Sequence, residues 1–383
     1  MPEIFDQQQN TPKAAENTAK ETKKRGLPLF AKIFYALGLF SIVLFLLFLI
    51  SPSFADFFNR YISSVYRGIL AHLTSWIPFS LAEFLLILSP IIIFLAVRAG
   101  MNQNTDTWRD VGIYCASMLS VLSLVFSMFT MGFSAGYRGS TLEEKLGLVN
   151  DGVTADELYD TAVYFATLTK HEADSIIYES SGFSIMPYGY EQMNDELMKA
   201  YDKASGKYEF LPSLNSRVKP VMLSGLMSYT HITGIYTFFT GEANINVAFP
   251  DYTVPYTAAH ELAHQRGISR EDEANFVAFL VCRESDDHYI KYSAYLSMYE
   301  YVSNALYKAD PQKYYETLHI LPLEVYEEMS AYSEFFDKYR DSVASDVSGA
   351  INDTFLTIQG TEGIKSYGMV VDLAVAYYNK TIN

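Results

Sequence analysis

Residues 241–282 read GEANINVAFPDYTVPYTAAHELAHQRGISREDEANFVAFLVC and contain the motif HELAH at 260–264. Two histidines four positions apart lie on one face of a helix, one turn from each other, and can bind the same metal ion. Glu261 lies about 100° further round the helix and can reach a water at that ion without binding the metal itself. The motif predicts a catalytic zinc site with His260 and His264 as ligands and Glu261 as the general base.

The residues after the motif predict where this helix ends and the next one begins. Gly267 is a typical residue just beyond a helix C-terminus, where a left-handed backbone conformation is common. Ser269 is a candidate cap for a second helix, with Asp272 at the position where a capping box usually has Glu or Gln. We therefore expect two helices joined by a short turn, which brings the start of the second helix toward the histidines.

The start of the second helix offers candidates for the third zinc ligand that a catalytic site needs. Glu271 is the preferred third ligand because Asn275, one turn later, shares its face of the helix. From there Asn275 can hold the free ring nitrogen of a ligand histidine. Glu273 is the alternative third ligand, and since it lies about 200° round the helix from Glu271, only one of the two can face the metal.

The two motifs together carry a family resemblance. HExxH followed by E-x-x-A-N at 271–275 resembles the gluzincin metallopeptidases, which include thermolysin-like and membrane-bound CAAX-type enzymes. The resemblance implies a zinc cofactor and assigns the third ligand to Glu271, although residues 265–270 form a shorter spacer than in the well-studied gluzincins. The run 241–282, with three apolar stretches and Tyr137-Arg138-Gly139 before it, is also similar to an uncharacterised bacterial membrane family, a domain of unknown function with a predicted zinc-peptidase site.

A β-hairpin is predicted directly before the HExxH helix. Residues 232–239 and 243–249 are rich in β-branched and aromatic side chains, and the connection at 240–242 contains a glycine. The second segment alternates in polarity, which is typical of a half-buried or edge strand. Gluzincins usually place an edge strand beside this helix, where an extended peptide substrate can add as a further strand. An ordinary hairpin without a binding role is an equally supported interpretation.

A peptidase also needs a hydrogen-bond donor for the oxyanion that develops during the reaction, commonly Tyr or His. The chain contains 30 tyrosines, so the sequence does not single out one donor. The candidates near the motif or in the helix that follows are Tyr256, His231, His288, Tyr289 and Tyr292.

Three apolar stretches precede this region, at about 27–50, 79–97 and 111–133, and each is long enough to cross the hydrocarbon core as a helix. They predict a membrane domain over 27–133. Residues 134–383 can bury a core of their own and are predicted to be mainly helical. The expected fold is thus three N-terminal transmembrane helices followed by a mainly helical α+β, gluzincin-like domain. The predicted helices of this domain cover residues 155–168, 190–203, 286–307, 311–317, 323–339 and 363–378.

The distribution of Lys and Arg predicts the orientation in the membrane. The N-terminal segment 1–26 is basic and is therefore expected in the cytoplasm; its cations are Lys13, Lys20, Lys23, Lys24 and Arg25. Residues 51–78 then lie outside, where their amphipathic pattern favours the membrane interface. The loop with Arg98 and Arg109 returns to the cytoplasm, so that residues 134–383 are expected to be extracytoplasmic, in a multi-pass protein of the cell membrane.

Charge and cysteine content exclude other classes of protein. The chain has a net charge of −16, and the excess of acids lies after residue 133, which argues against nucleic acid as a partner. Two cysteines, Cys115 and Cys282, are too few for a disulfide framework or a thiolate zinc site. The expected partners are instead the lipid bilayer and a protein or peptide substrate.

Two functions fit these observations. The first is a membrane-anchored zinc metallopeptidase that hydrolyses extracytoplasmic proteins or peptides through a zinc-activated water. The second is a sensor or binding module of the cell envelope that keeps the zinc site without proteolysis. Glu261 favours the enzyme, because a site that only binds zinc has no use for a base at that position.

Overall fold

The computed structural model describes residues 26–101, 107–149 and 152–382, except the side chains of 366 and 367. Within these ranges the chain is mostly helical with one small sheet, as predicted at that level. The basic residues up to Arg25 and most of the short loop between Arg98 and Arg109 lie outside the described residues. The predicted orientation in the membrane therefore stays a prediction.

Three helices are long and apolar enough to cross a membrane: α1 (Leu29–Ile50), α4 (Leu81–Met101) and α5 (Trp108–Gly132). They coincide with the three predicted stretches to within a few residues at each end. Many of their Leu, Ile and Phe side chains are exposed, which suits contact with lipid rather than water. The structure thus supports membrane association through these helices.

The segment between the first two of these helices is helical from Pro52 to Ser75. It consists of α2 (Pro52–Phe58), a π-helical turn over Asn59–Ser63 and α3 (Ser64–Ser75). Its one fully buried charged side chain, Arg67, contacts the backbone of distant parts of the chain. The segment therefore packs against the rest of the protein through the face that carries Arg67, and the predicted place at the membrane interface stays a prediction.

Most of the predicted helices after residue 133 are present, several of them longer than predicted. The helix over 343–358 was not predicted, because its β-branched residues and Gly349 obscure the helical pattern. The helices are α6 (Leu142–Leu146), α7 (Ala155–Ala173), α8 (Tyr190–Lys207), α9 (Ser224–Met227), α10 (Thr253–Gln265), α11 (Glu271–Cys282), α12 (His288–Ala309), α13 (Pro311–Leu318), α14 (Leu323–Asp337), α15 (Val343–Ile358) and α16 (Val370–Thr381). Short 3₁₀ turns cover Ser134–Tyr137, Ser228–Thr230 and Gly363–Met369.

The sheet has three strands in the order β1 (Val218–Pro220), β3 (Glu242–Ile245) and β2 (Gly234–Thr237). The predicted hairpin is present, since β2 and β3 pair antiparallel, but the prediction of an edge strand over 243–249 is wrong. β1 pairs in parallel with β3, which makes β3 the central strand. β1 is only three residues long and contains a proline, so the sequence shows no strand pattern from which it could be predicted.

The sheet lies between the metal-motif helix and the membrane helices. One face packs against α10, which contacts both β2 and β3. The carboxylate of Glu242, on β3, accepts hydrogen bonds from the backbone N–H groups of Leu81 and Ala82, at the start of α4. The main core takes in side chains of β1, β3 and α10 and extends between α7, α8, α11, α12 and α16, which enclose its aromatic and aliphatic residues.

Candidate metal centre

Helix α10 carries the HELAH motif and ends in a tight turn that the sequence predicts. Gly267 has a φ of 97°, a left-handed conformation that favours glycine. The backbone N–H of Gly267 donates to the carbonyl of His264, and that of Ile268 donates to the carbonyl of Ala263. This is the Schellman pattern of a helix C-terminus. The turn reverses the chain so that α11 begins beside the histidines.

The side chains of His260, His264 and Glu271 meet at one point. Oε2 of Glu271 is 3.2 Å from Nε2 of His260 and 3.3 Å from Nε2 of His264. The two imidazole rings are nearly perpendicular, with their centroids 4.5 Å apart. All three side chains are almost entirely removed from solvent. Three potential ligand atoms therefore face one another in a sheltered place.

A backbone carbonyl orients the ring of His264. Its Nδ1 is 2.7 Å from the carbonyl oxygen of Ile268, so that Nδ1 carries the hydrogen and donates it. This leaves Nε2, on the side of Glu271, as the nitrogen that can bind a metal ion once its proton is displaced. Fixing the tautomer through the outer nitrogen is the usual way in which proteins prepare a histidine for a metal.

Glu271 and the two histidines shift one another's pKa values. Burial alone lowers the pKa of His264, but the adjacent carboxylate of Glu271 outweighs this effect and raises the pKa to about 9. Burial raises the pKa of Glu271, and the charges and hydrogen bonds of the two histidines reverse this effect and bring it well below its usual range. The cluster therefore favours a positive charge between these three groups, which a divalent cation also supplies.

Two observations test whether these residues fit zinc. Ligand atoms about 2.0–2.1 Å from a tetrahedral zinc ion are about 3.3 Å apart, which agrees with the 3.2 Å and 3.3 Å separations at Glu271. Two imidazoles and one carboxylate also form the ligand set of many catalytic zinc sites, in which the fourth position stays open. The residues present therefore fit zinc.

Glu261 lies beside the cluster, against strand β2. A Cβ at Gly234 would lie 2.6 Å from Oε1 of Glu261, so glycine is required there for the carboxylate to occupy its place. Oε2 of Glu261 is buried and has no hydrogen-bond partner among the described residues. Burial raises the pKa of Glu261 to about 7, although the charges of His260 and His264 oppose the shift. A carboxylate of this kind can accept and return a proton near neutral pH.

The structure separates the two candidates for the third ligand. Glu271 faces the histidines, whereas the carboxylate of Glu273 accepts a hydrogen bond from the backbone N–H of Leu142 and pairs with Arg270. The contact predicted for Asn275, with a ring nitrogen of a histidine, is not among the hydrogen bonds of the described ranges. Its side-chain nitrogen is buried without a hydrogen-bond partner there.

The predicted serine cap of the second helix is wrong. The hydroxyl of Ser269 donates to the carbonyl of Phe133, just after the end of α5, and Arg270 precedes α11 without a side-chain cap. The ring of Phe133 also lies 5.6 Å from that of His264, centroid to centroid. The sequence did not indicate this contact, because Phe133 is more than a hundred residues away and reads as the end of a membrane helix.

The candidate oxyanion donors are engaged elsewhere. The hydroxyl of Tyr256 donates to the carbonyl of Asn275, and that of Tyr292 donates to Glu328. The remaining pairs are Tyr289 with Ser184, His288 with Glu172, and His231 with the carbonyl of Tyr339.

Tyr301, on α12, is a further tyrosine that the sequence analysis did not select. Its hydroxyl lies near Asn275 and interacts electrostatically with the carboxylate of Glu271. Burial first, and the charges of Glu300 and Glu271 second, raise its pKa well above the usual range, so that it remains protonated. Helix α12 contains several tyrosines, and nothing in the sequence distinguishes Tyr301 from those that only pack in the core.

The fold and this cluster define a mostly helical protein with three candidate membrane helices and a buried group of two histidines and one glutamate. A sequence model of one protein family matches residues 58–375, and its description is "Protein of unknown function (DUF3810)". The match spans most of the chain, which therefore belongs to this family. No curated protein and no solved structure matches the chain.

Proposed function

We propose that this protein is a membrane-anchored, zinc-dependent metallopeptidase of the gluzincin type that hydrolyses proteins or peptides outside the cytoplasm. His260, His264 and Glu271 would hold the zinc ion. The observation that carries the proposal is the meeting of these three ligand atoms beside the buried carboxylate of Glu261, one oxygen of which has no hydrogen-bond partner in the described part of the chain.

Each residue has a part in the proposed chemistry. When bound, zinc supplies a Lewis acid that makes water a nucleophile near neutral pH. Glu261 takes the proton that the attacking water loses and gives it to the amine that leaves the cleaved peptide bond. Glu271 and the two histidines would hold the zinc ion close to Glu261, so that the attacking water lies within reach of this carboxylate. The buried surroundings exclude bulk water.

Strand β2 offers a place for the substrate backbone. In the described ranges it pairs with β3 on one side only, and Gly234 at its start contacts Glu261. A peptide that adds as a strand beside β2 would therefore run past the general base. This assigns to β2 the role that the sequence analysis gave to the segment at 243–249.

Zinc content and turnover, measured together, test the proposal. We expect the full-length protein, purified in detergent, to bind about one zinc ion per chain by elemental mass spectrometry. H264A should lose the metal, since a two-ligand site binds zinc far more weakly. E261Q should keep the metal and lose hydrolysis of a mixed peptide library, because the amide cannot accept a proton.

Matched variants control this experiment. H288A removes an exposed histidine outside the cluster and should leave zinc bound, and E271Q should release zinc whereas E273Q should not. Full hydrolysis by E261Q would remove the general-base assignment. Zinc that is bound by the unmodified protein and lost in H264A and E271Q, without any hydrolysis, would favour the sensor or binding module instead, whereas zinc bound by every variant would contradict the ligand set.

A further inference from the structure

The sheet beside the metal centre is joined to the start of membrane helix α4 by buried ionic contacts. Glu242, on the central strand, accepts hydrogen bonds of 3.0 Å from the backbone N–H groups of both Leu81 and Ala82. The amine of Lys219, on β1, lies 2.5 Å from the same carboxylate and also donates to the carbonyl of Thr74. The sheet therefore lies directly on the end of α4.

A second contact joins the end of the metal-motif helix to the end of α5. The guanidinium of Arg67 donates to the carbonyl of Gly132, the last residue of α5, and to that of Arg266, two residues after His264. The side chain of Asn59 donates to the carbonyl of Gly267. Together with the ring contact between Phe133 and His264, these bonds place the metal centre next to the end of a membrane helix.

Exposed apolar side chains surround this end of the membrane helices. On α3, Val65, Ile69 and Leu73 recur every four residues on one exposed face, and the exposed Trp76 follows them. We call this face the α3 stripe. Tryptophan at this position is typical of a membrane interface.

A second apolar surface lies at the first turn of α4. Met222, Leu223 and Leu226 are exposed, and we call them the β1 turn because they follow that strand. Glu83, in the first turn of α4, accepts hydrogen bonds from the backbone N–H groups of Met222 and Leu223. The turn is therefore held beside the first turn of α4.

A third apolar surface is the α15 stripe, formed by Val343, Val347 and Ile351 at intervals of four residues on one exposed face of α15. Further along the same helix, Phe355 packs on Phe129 in the last turns of α5, with ring centroids 5.9 Å apart. The stripe thus continues from a contact with a membrane helix onto an exposed face.

We propose that the α3 stripe, the β1 turn and the α15 stripe lie in the adjacent leaflet of the bilayer, and that the metal centre therefore acts on polypeptides anchored in that same bilayer. The substrate class rests on the proposed peptidase function, whereas the contact with lipid does not. All three surfaces continue the lipid-facing exterior of α4 and α5, and lipid chains remove them from water as a protein core would. A centre held at this level meets the membrane-proximal residues of an anchored chain first.

Tryptophan fluorescence tests the contact with lipid without reference to activity. The chain has two tryptophans, Trp76 and Trp108, which W76F and W108F remove. In that background, L226W and V347W should lose fluorescence in vesicles of phosphatidylcholine with brominated acyl chains, compared with unbrominated vesicles. Y315W, on an exposed position of α13, is the matched control and should not. Equal fluorescence of L226W and V347W in both vesicles overturns the proposal.

The position of cleavage tests the substrate class. The probe is unfolded casein that carries one acyl chain at its N-terminus, added to vesicles containing the full-length protein. We expect cuts, mapped by mass spectrometry, to be concentrated on the residues nearest the anchor, because only these residues reach a centre held at the level of the bilayer surface. The E261Q protein is the control and should make none.

The outcomes separate the two proposals. Cuts spread evenly along the casein, or found equally in casein without the acyl chain, overturn the anchored-substrate class and leave the peptidase intact. No cuts in either probe, with bromine quenching present, overturn the peptidase and the substrate class but not the contact with lipid.

Discussion

At the scale of single residues, the candidate site depends on a glycine that no motif contains. The carboxylate of Glu261 occupies the space that a side chain at Gly234 would need. Position 234 has neither an unusual φ nor a turn to explain its glycine. Its role is therefore steric, and it follows from the packing of β2 on α10.

G234A should lower the turnover of the proposed peptidase by about 10–100-fold, because a displaced general base no longer reaches its proton. Zinc content should not change, since the added methyl group meets Glu261 and not the three ligands. Peptide hydrolysis and elemental analysis of the same preparation measure both effects. G225A is the matched control, because a Cβ there meets no atom within 4 Å. Unchanged turnover in G234A would contradict the assigned role of Glu261.

At the scale of elements, the contact between the sheet and α4 depends on a buried ion pair. Lys219 and Glu242 are almost fully buried, and the carboxylate also satisfies two backbone N–H groups at the start of α4. A negative charge at a helix N-terminus is favoured by the unpaired amides there. The pair thus fixes how the strands meet the membrane helix.

E242Q should lower the free energy of unfolding by about 3–5 kcal/mol, since it leaves the charge of Lys219 buried without a partner. Urea titration in detergent micelles, followed by fluorescence, measures this loss. The double variant K219M/E242Q should be more stable than E242Q alone, because no uncompensated charge remains. D286N, which removes the exposed partner of Lys203, should have no measurable effect. A double variant less stable than E242Q would contradict this account.

At the scale of the whole molecule, helix α12 runs through the core and carries an acidic residue there. Burial first, and the nearby carboxylate of Glu328 second, raise the pKa of Glu300 from 4.5 to about 8. Between these values the folded protein holds a proton that the unfolded chain releases. The contribution of this residue to stability is therefore present below about pH 4.5 and is lost as the pH rises toward 8.

E300Q should remove this part of the pH dependence. Relative to E300Q, the unmodified protein should lose up to roughly 1.4 kcal/mol of stability per pH unit between pH 5 and 8. Unfolding midpoints of both proteins, recorded over this range in the same detergent, give the difference. Parallel curves for the two proteins would show that Glu300 titrates at its ordinary pKa in the folded state.

Local patterns in the sequence were sufficient for much of the fold. The three long apolar helices, most helices after residue 133, the hairpin and the turn at Gly267 follow from hydrophobic periodicity and turn chemistry, which act between near neighbours. The helix α15 was missed because its β-branched residues and Gly349 obscure the helical pattern. The strand β1 was missed because a strand of three residues can be recognised only through its pairing with β3.

By itself, then, the sequence determined that His260 and His264 lie one helical turn apart, with Glu261 between them and acidic residues at the start of the next helix. Only the tertiary structure decided which acid faces the imidazoles. Glu271 faces them, because the carboxylate of Glu273 accepts a hydrogen bond from the backbone N–H of Leu142 and pairs with Arg270. The tertiary structure also placed Gly234 against the carboxylate of Glu261 and Phe133 beside His264. These contacts join residues far apart in the chain, and the free energy that selects them comes from burial and pairing that no local pattern encodes.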